Sequence, residues 1–190
     1  LDFYPKRTGV LAFLHRGIFI RANAVQAISR FLAAFATKMG FTGTPRVIPN
    51  GVDVERFSRT RSMEARQRAR HDLGVHDEEV LLVSTSRLSL KNGLDDLIRA
   101  LLFLSPRYKV LIIGEGEDGE KLRVLTMQKG LTERVIFLGK RGHDTLPGLL
   151  QASDLFVRPS LSERLGNSFL EAMAAGLPII GTPVGGIPDF

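Results

Sequence analysis

The sequence predicts an α/β fold: a Rossmann-like parallel sheet with helices on both faces, preceded by part of another domain. Two observations predict it. Short, nearly continuous apolar runs recur from residue 79 onward, EVLLVST at 79–85, KVLII at 109–113, RVIFL at 134–138, DLFV at 154–157 and PII at 178–180, and strands buried on both faces read this way. Helical patterns separate them, and strand and helix alternating at this pace give βαβ units with right-handed crossovers. In such sheets ligands sit beyond the carboxyl ends of the strands, so chemistry is expected in the loops after residues 85, 113, 138, 157 and 180.

In chain order, AVQAI at 24–28 is a short strand candidate, Ser29 a helix cap, and 30–39 an amphipathic helix. That is one βα unit, not a domain. RVIPNGVD at 46–53 is an apolar dipeptide closed by a Pro-Asn-Gly turn. A charged stretch follows at 55–72, with five Arg between 56 and 68. The helical patterns downstream are 95–103, with Leu97, Ile98, Leu101 and Leu102 on one side, then 117–129, 145–152 and 168–175. The expected division is 1–50 as the end of an incomplete N-terminal domain, 51–75 as an interdomain crossing, and 76–190 as a Rossmann-like domain short of its C-terminal end. At 190 residues the chain holds one domain and a fraction. A first residue of Leu rather than Met agrees with an internal fragment.

Hydrophobic residues at 44% and charged residues at 24% suit a globular chain with a sizeable core. The absence of Cys excludes disulfide frameworks and thiolate chemistry, and four scattered His make no metal cage. Nothing approaches the roughly 18 uninterrupted apolar residues of a membrane span, since the run at 10–20 is broken by His15, Arg16 and Gly17. A soluble, cytoplasmic protein is expected. The net charge of +6 resides in residues 1–50, where Lys6, Arg7, Arg16, Arg21, Arg30, Lys38 and Arg46 face Asp2 alone; the other 140 residues are balanced. This basicity suits an anionic membrane surface or a phosphate-bearing acceptor, and equally a solvated face of a partial domain. It carries no nucleic-acid recognition motif.

Three motifs bear on chemistry. GEGEDG at 114–119 matches the dinucleotide pattern after a strand and before a helix. However, Glu115, Glu117 and Asp118 surround the place of a pyrophosphate and oppose it, while they would stabilise a bare helix N-terminus. A structural role is expected there. Arg87 and Lys91, in the loop after the first strand of the domain, suit a diphosphate better: a guanidinium grips phosphate oxygens bidentately and an ammonium acts as a mobile point charge. The third motif is PSLSERLGNSFLEAMAAG at 159–176. There Gly166 and Asn167 lead into a helix whose free N–H groups form an anion site. Glu163 precedes that helix and Glu171 lies on its first turns, eight positions apart, as two separate ligand contacts rather than a pair sharing a proton. Ser168 and Glu171 also read as a capping box, and Glu163 taken alone as a solvated loop acid.

Glu163, seven residues, and Glu171, within ERLGNSFLEAMAAGLPIIGTPVGG, resemble the E-x7-E signature of retaining glycosyltransferases of the GT-B fold, notably glycosyltransferase family 4. VIPNGVD at 47–53, the loop SRLSLKNG at 86–93, VLIIGEGE at 110–117 and RVIFLG at 134–139 resemble further landmarks of that family, in family order over about residues 24–190. Arg87 and Lys91 stand four apart where many members have five, and Leu165 stands where Phe is common.

The resemblance implies a glycosyltransferase using a nucleotide-sugar donor, a UDP- or GDP-sugar, with no cofactor beyond that substrate, no metal, and retention of configuration. Arg87 and Lys91 would bind the diphosphate and stabilise the leaving group, aided by the backbone at Gly166, Asn167 and Ser168. Glu171 would accept from the ribose hydroxyls, Glu163 would contact the transferred sugar, and the loop after Gly139, with Lys140 and Arg141, would flank the base. The acceptor would be a glycan or a lipid-linked molecule, with peripheral contact of residues 1–50 at the inner membrane face. Residues 1–190 alone are expected to bind nucleotide weakly without turnover. Two other readings stand beside this one: an NAD-linked oxidoreductase using the glycine loop at 114–119, with Glu133 near the place of a ribose ligand, and a non-catalytic nucleotide-binding module.

Overall fold

The structure is a computed structural model describing residues 10–58 and 62–190. Asp2, Lys6 and Arg7 of the basic segment, and Arg59 and Arg61 of the charged stretch, lie outside the described residues. The chain forms two compact units. The first takes Leu1–Gly51, Leu161–Gly166 and Pro183–Phe190, the second Val52–Ser160 and Asn167–Thr182.

In the first unit, α1 (Val10–Arg21) precedes β1 (Gln26–Ala27), α2 (Arg30–Lys38) and β2 (Arg46–Val47), and the two short strands pair in parallel. The strand predicted at 24–28 is thus two residues long. Ser29 is the predicted cap: its hydroxyl accepts from the Leu32 N–H at 3.2 Å. The Arg30 N–H donates to Asp189 Oδ2 at 2.6 Å, so an acid 159 positions downstream also serves the start of α2. Phe19 of α1 meets Phe35 of α2 edge to face, 6.0 Å between ring centroids. α1 is a helix that the sequence reading did not place: VLAFLHRGIFIR is apolar nearly all round and has no cap to mark its start.

The second unit carries the predicted sheet. Its helices are α3 (Val54–Ser58), α4 (Met63–Asp72), α5 (Leu94–Ala100), α6 (Gly119–Gln128), α7 (Leu146–Ala152) and α8 (Asn167–Ala174). Its strands are β3 (Val80–Thr85), β4 (Tyr108–Ile113), β5 (Val135–Gly139), β6 (Leu155–Arg158) and β7 (Ile179–Gly181), all parallel in the order β5-β4-β3-β6-β7. All five predicted strands are present, within two residues at each end. Leu82, Val110, Ile112 and Val157 point to one face and join Leu97, Ile98 and Leu122 in a buried cluster. Leu81, Val83, Leu111 and Phe156 are equally buried, and strand alternation turns them to the other face. The chain moves outward from β3 through β4 to β5, then returns to the other side of β3 with β6. The carboxyl ends of β3 and β6 are therefore the topological switch point, where open α/β sheets bind ligands.

Helix boundaries depart from expectation by a few residues. The helix predicted at 95–103 ends at Ala100 and continues as a 3-10 turn, Leu101–Phe103. The stretch 51–75 contains α3 and α4. α4 has no apolar stripe and is anchored through arginines instead. Arg70, buried, donates to the carbonyls of Ala152, His76 and Glu79 and to Asp154 Oδ2 at 3.1 Å, while Arg66 Nη2 reaches Asp154 Oδ1 at 2.6 Å. Asp154 also accepts from the Leu81 N–H at 2.7 Å, which joins the starts of β6 and β3.

Candidate functional site

The glycine loop at 114–119 is a packing device. Gly114 adopts φ +141°, and a β-carbon there would lie 1.9 Å from the Ser86 carbonyl oxygen; one on Gly116 would lie 2.3 Å from that of Leu88. The loop after β3 therefore rests directly on the loop after β4. The Leu88 N–H donates to the Glu115 carbonyl at 3.0 Å, the Asp118 N–H to the Leu88 carbonyl at 3.0 Å, and the Leu90 N–H to Asp118 Oδ2 at 2.9 Å. Where a dinucleotide reading places pyrophosphate, residues 86–90 of the chain itself lie. Glu117 and Asp118 precede α6, which begins at Gly119 rather than at 117. Glu117 accepts from Arg87 Nε at 3.0 Å, and Asp118 pairs with Lys121 at 2.6 Å.

Docked in this way, the first loop opens a cleft of about 450 Å³ at the carboxyl ends of β3, β4 and β5. Thr85, Ser86 and Arg87 line it from β3, Glu115 from β4, and Lys140, Arg141 and His143 from the loop after β5. Three fixed cations against one carboxylate make it a site for an anion. Glu117 holds only Nε of Arg87, which leaves the two terminal nitrogens as a fork. Gly139 ends β5 at φ +72°, a conformation that favours glycine, and its carbonyl accepts from the Gly114 N–H at 2.9 Å. This turn carries Lys140 and Arg141 to the cleft. Lys91 is exposed on the 3-10 turn Leu90–Asn92, which Asn92 ties back by donating to the Arg87 carbonyl at 2.6 Å.

α8 supplies the acidic member. Glu171 Oε1 lies 4.0 Å from His143 Nδ1, and the Glu171 side chain is only 17% exposed. Burial pushes its carboxyl above the usual carboxylate range, against the opposite pull of His143. α8 begins at Asn167, so Ser168 stands inside the helix rather than at its cap. The expected capping box is absent as drawn: the Ser168 hydroxyl accepts from Arg158 Nη1 at 2.6 Å. Gly166, at φ +89°, and Glu163 belong to the first unit. There Glu163 Oε1 accepts from the Arg164 N–H at 2.8 Å, and Gly185 packs so closely on the Glu163 carbonyl that no β-carbon fits.

The second unit thus brings together Arg87, Lys140, Arg141 and Glu171, with Lys91, Asn167 and Ser168 on adjoining segments. His143, Thr85 and Arg158 are functional candidates that the sequence reading passed over, and Glu115, expected there to be structural, also lines the cleft. Arg158 had one signal, a charged residue ending an otherwise apolar strand. Among the described residues, no group of three or more His, Asp or Glu side chains is placed to hold a metal ion.

The family described as glycosyl transferases group 1 matches this chain over residues 65–190. The chain belongs to that family. The uncharacterized glycosyltransferase MJ1607 of Methanocaldococcus jannaschii is 37% identical over 147 residues, which cover 76% of this chain and 38% of that protein. The GDP-mannose-dependent monoacylated alpha-(1-6)-phosphatidylinositol monomannoside mannosyltransferase of Corynebacterium glutamicum is 31% identical over 185 residues, 92% of this chain and 48% of that one. The crystal structure of Anabaena Alr3699/HepE in complex with UDP and glucose matches with a TM-score of 0.84 at 28% identity, covering 94% of this chain and 49% of that one. This group 1 chain accordingly spans half or less of the length of these relatives, and its fold matches that of the Anabaena protein.

Proposed function

We propose that this chain is the donor-binding part of a nucleotide-sugar-dependent glycosyltransferase of family 4, in which a UDP- or GDP-sugar gives up its sugar with retention of configuration and without metal. The observation that carries the reading is the cationic cleft beyond β3, β4 and β5, with Glu171 of α8 beside it. It is supported by relatives whose names include GDP-mannose and by a structural neighbour holding UDP.

Breaking the bond from sugar to diphosphate develops negative charge on the leaving phosphate. Preorganised cations and N–H groups at a helix N-terminus stabilise that charge more in the transition state than in the ground state. Arg87 and Lys91 take this role, with the backbone of Gly166, Asn167 and Ser168. Lys140 and Arg141 flank the base, Glu171 receives the ribose hydroxyls, and the resemblance assigns the transferred sugar to Glu163. Residues 1–50 belong in this reading to the acceptor domain and 51–75 to the crossing. The acceptor is a glycan or lipid-linked molecule, met from the cytoplasmic side with peripheral membrane contact through the basic segment. No helix among the described residues is long and apolar enough to cross a membrane. Residues 1–190 alone bind nucleotide without turnover.

Calorimetric titration with UDP, GDP, ADP and NAD in EDTA tests the reading. One nucleoside diphosphate is expected to bind, about tenfold more weakly after Arg87→Ala or Glu171→Ala. Binding of NAD alone, insensitive to both substitutions, would overturn it.

A further inference from the structure

Arg158 ends β6 at the topological switch point, and the residue is only 4% exposed. A buried guanidinium is costly unless its donors are engaged. Nη1 donates to the Ser168 hydroxyl at 2.6 Å and to the Thr85 carbonyl at 3.3 Å, and Nε donates to the Ser160 hydroxyl at 3.1 Å. The guanidinium also lies over the Phe169 ring, 4.5 Å from its centroid. One side chain thereby ties the end of β3, the end of β6 and the first turn of α8 together.

The chemistry of the contact with Ser168 has a direction. A guanidinium has donors only, so the Ser168 oxygen must accept, and its own proton is turned away from Arg158. Among the described residues, that proton reaches no acceptor. At the end of β3 and just past it, Ser84 Oγ, Thr85 Oγ1 and Ser86 Oγ are buried and have no hydrogen-bond partner. Ser84 and Thr85 are more than nine-tenths buried, and Thr85 and Ser86 line the cleft. Buried hydroxyls without partners are rare in a finished site.

We propose that Arg158 is a positioning residue for the donor's diphosphate: it fixes the Ser168 hydroxyl as a hydrogen-bond donor to a phosphate oxygen and holds the first turn of α8 in register with the end of β3. The proposal rests on the nucleotide-sugar reading above and adds a side-chain donor to the backbone contacts assigned there. A hydroxyl donating to a phosphate oxygen is charge-assisted, and its loss weakens binding without touching the base.

The test measures affinity for UDP, GDP and ADP, and for the corresponding nucleosides, in the parent chain, Ser168→Ala, Arg158→Met, Arg158→Lys and the double variant Arg158→Met/Ser168→Ala. For the diphosphate that the parent binds, Ser168→Ala and Arg158→Met are each expected to weaken affinity about tenfold. The double variant should be no weaker than Arg158→Met alone, because the two act as a unit. Arg158→Lys, which keeps the charge and concentrates its donors on a single nitrogen, should recover part of the loss, and nucleoside affinity should stay constant throughout. Diphosphate affinity unchanged by Ser168→Ala, fully additive losses, or an equal fall in nucleoside affinity would each overturn the proposal while leaving the nucleotide-sugar reading intact. If Arg158→Met does not fold, Ser168→Ala and Arg158→Lys decide by the same criteria. A parent that binds none of the three diphosphates overturns both.

Discussion

A β-carbon placed on Gly93 would stand 2.0 Å from the carbonyl oxygen of Pro159. The turn that follows Lys91 is therefore pressed backbone to backbone against the segment that follows β6. Gly93 makes this approach at φ +65°, while serving as the end of the 3-10 turn and the start of α5. Lys91 owes its place at the switch point to an absent side chain two residues away.

Gly93→Ala combines a left-handed backbone with a clash against main chain, neither of which relaxes by moving a side chain. The expected cost is about 3 kcal/mol, read as a lower urea midpoint at constant slope, with weaker nucleoside diphosphate binding in the protein that remains folded. A loss below about 0.5 kcal/mol would mean that the two segments separate easily.

Asp154 and its two arginines separate buried from exposed electrostatics. Asp154→Ala leaves the Arg70 guanidinium, whose side chain is 3% exposed, without this carboxylate. That change is expected to cost about 3 kcal/mol. Arg66 pairs with the same carboxylate at 2.6 Å but its side chain is 34% exposed, so Arg66→Ala should cost less than about 1 kcal/mol. Equal losses in chemical denaturation would refute the distinction.

Glu171 makes stability depend on pH in the sense opposite to that of a salt-bridged acid. Its carboxyl binds its proton more tightly folded than unfolded, so the folded state holds more protons between the two pKa values and stability falls as pH rises through that window. The window opens near the ordinary value of 4.5 and extends above it, and the penalty grows as pH rises through it. Glu171→Gln should therefore unfold at a higher temperature than the parent at pH 7, with the difference closing toward pH 4, even as nucleotide binding weakens. A difference of constant size across that range would exclude ionisation of Glu171 as its source.

The sheet was legible because strands buried on both faces lose their alternation, and runs such as VLLVST and KVLII have no other economical reading. Arg87 was legible by position, as a cation just past a strand end, whereas Lys140 and Arg141 entered only through the family resemblance. α4 was not, because MEARQRARHD has no apolar stripe: the helix docks through the buried guanidinium of Arg70, a mode that periodicity cannot detect. Its cap was available all the same, since the Ser62 hydroxyl accepts from the Ala65 N–H at 3.2 Å. Ser168 misled in the opposite way. A serine three residues before a glutamate spells a cap, but the positive φ of Gly166 starts the helix one residue earlier and leaves the hydroxyl to Arg158. His143 gave no signal, since only the fold carries the loop after β5 to within 4.0 Å of Glu171.

The Asp189 carboxylate on the Arg30 N–H sets an order of events during synthesis. α2 can wind as soon as Ser29 and its successors have left the ribosome, yet its second anchor is translated 159 residues later. By then the five-stranded sheet between them has been made, so the first unit receives its closing segments only after the second has its strands. Released chains truncated after Thr182 should accordingly show a protease-resistant sheet while α2 remains open to cleavage.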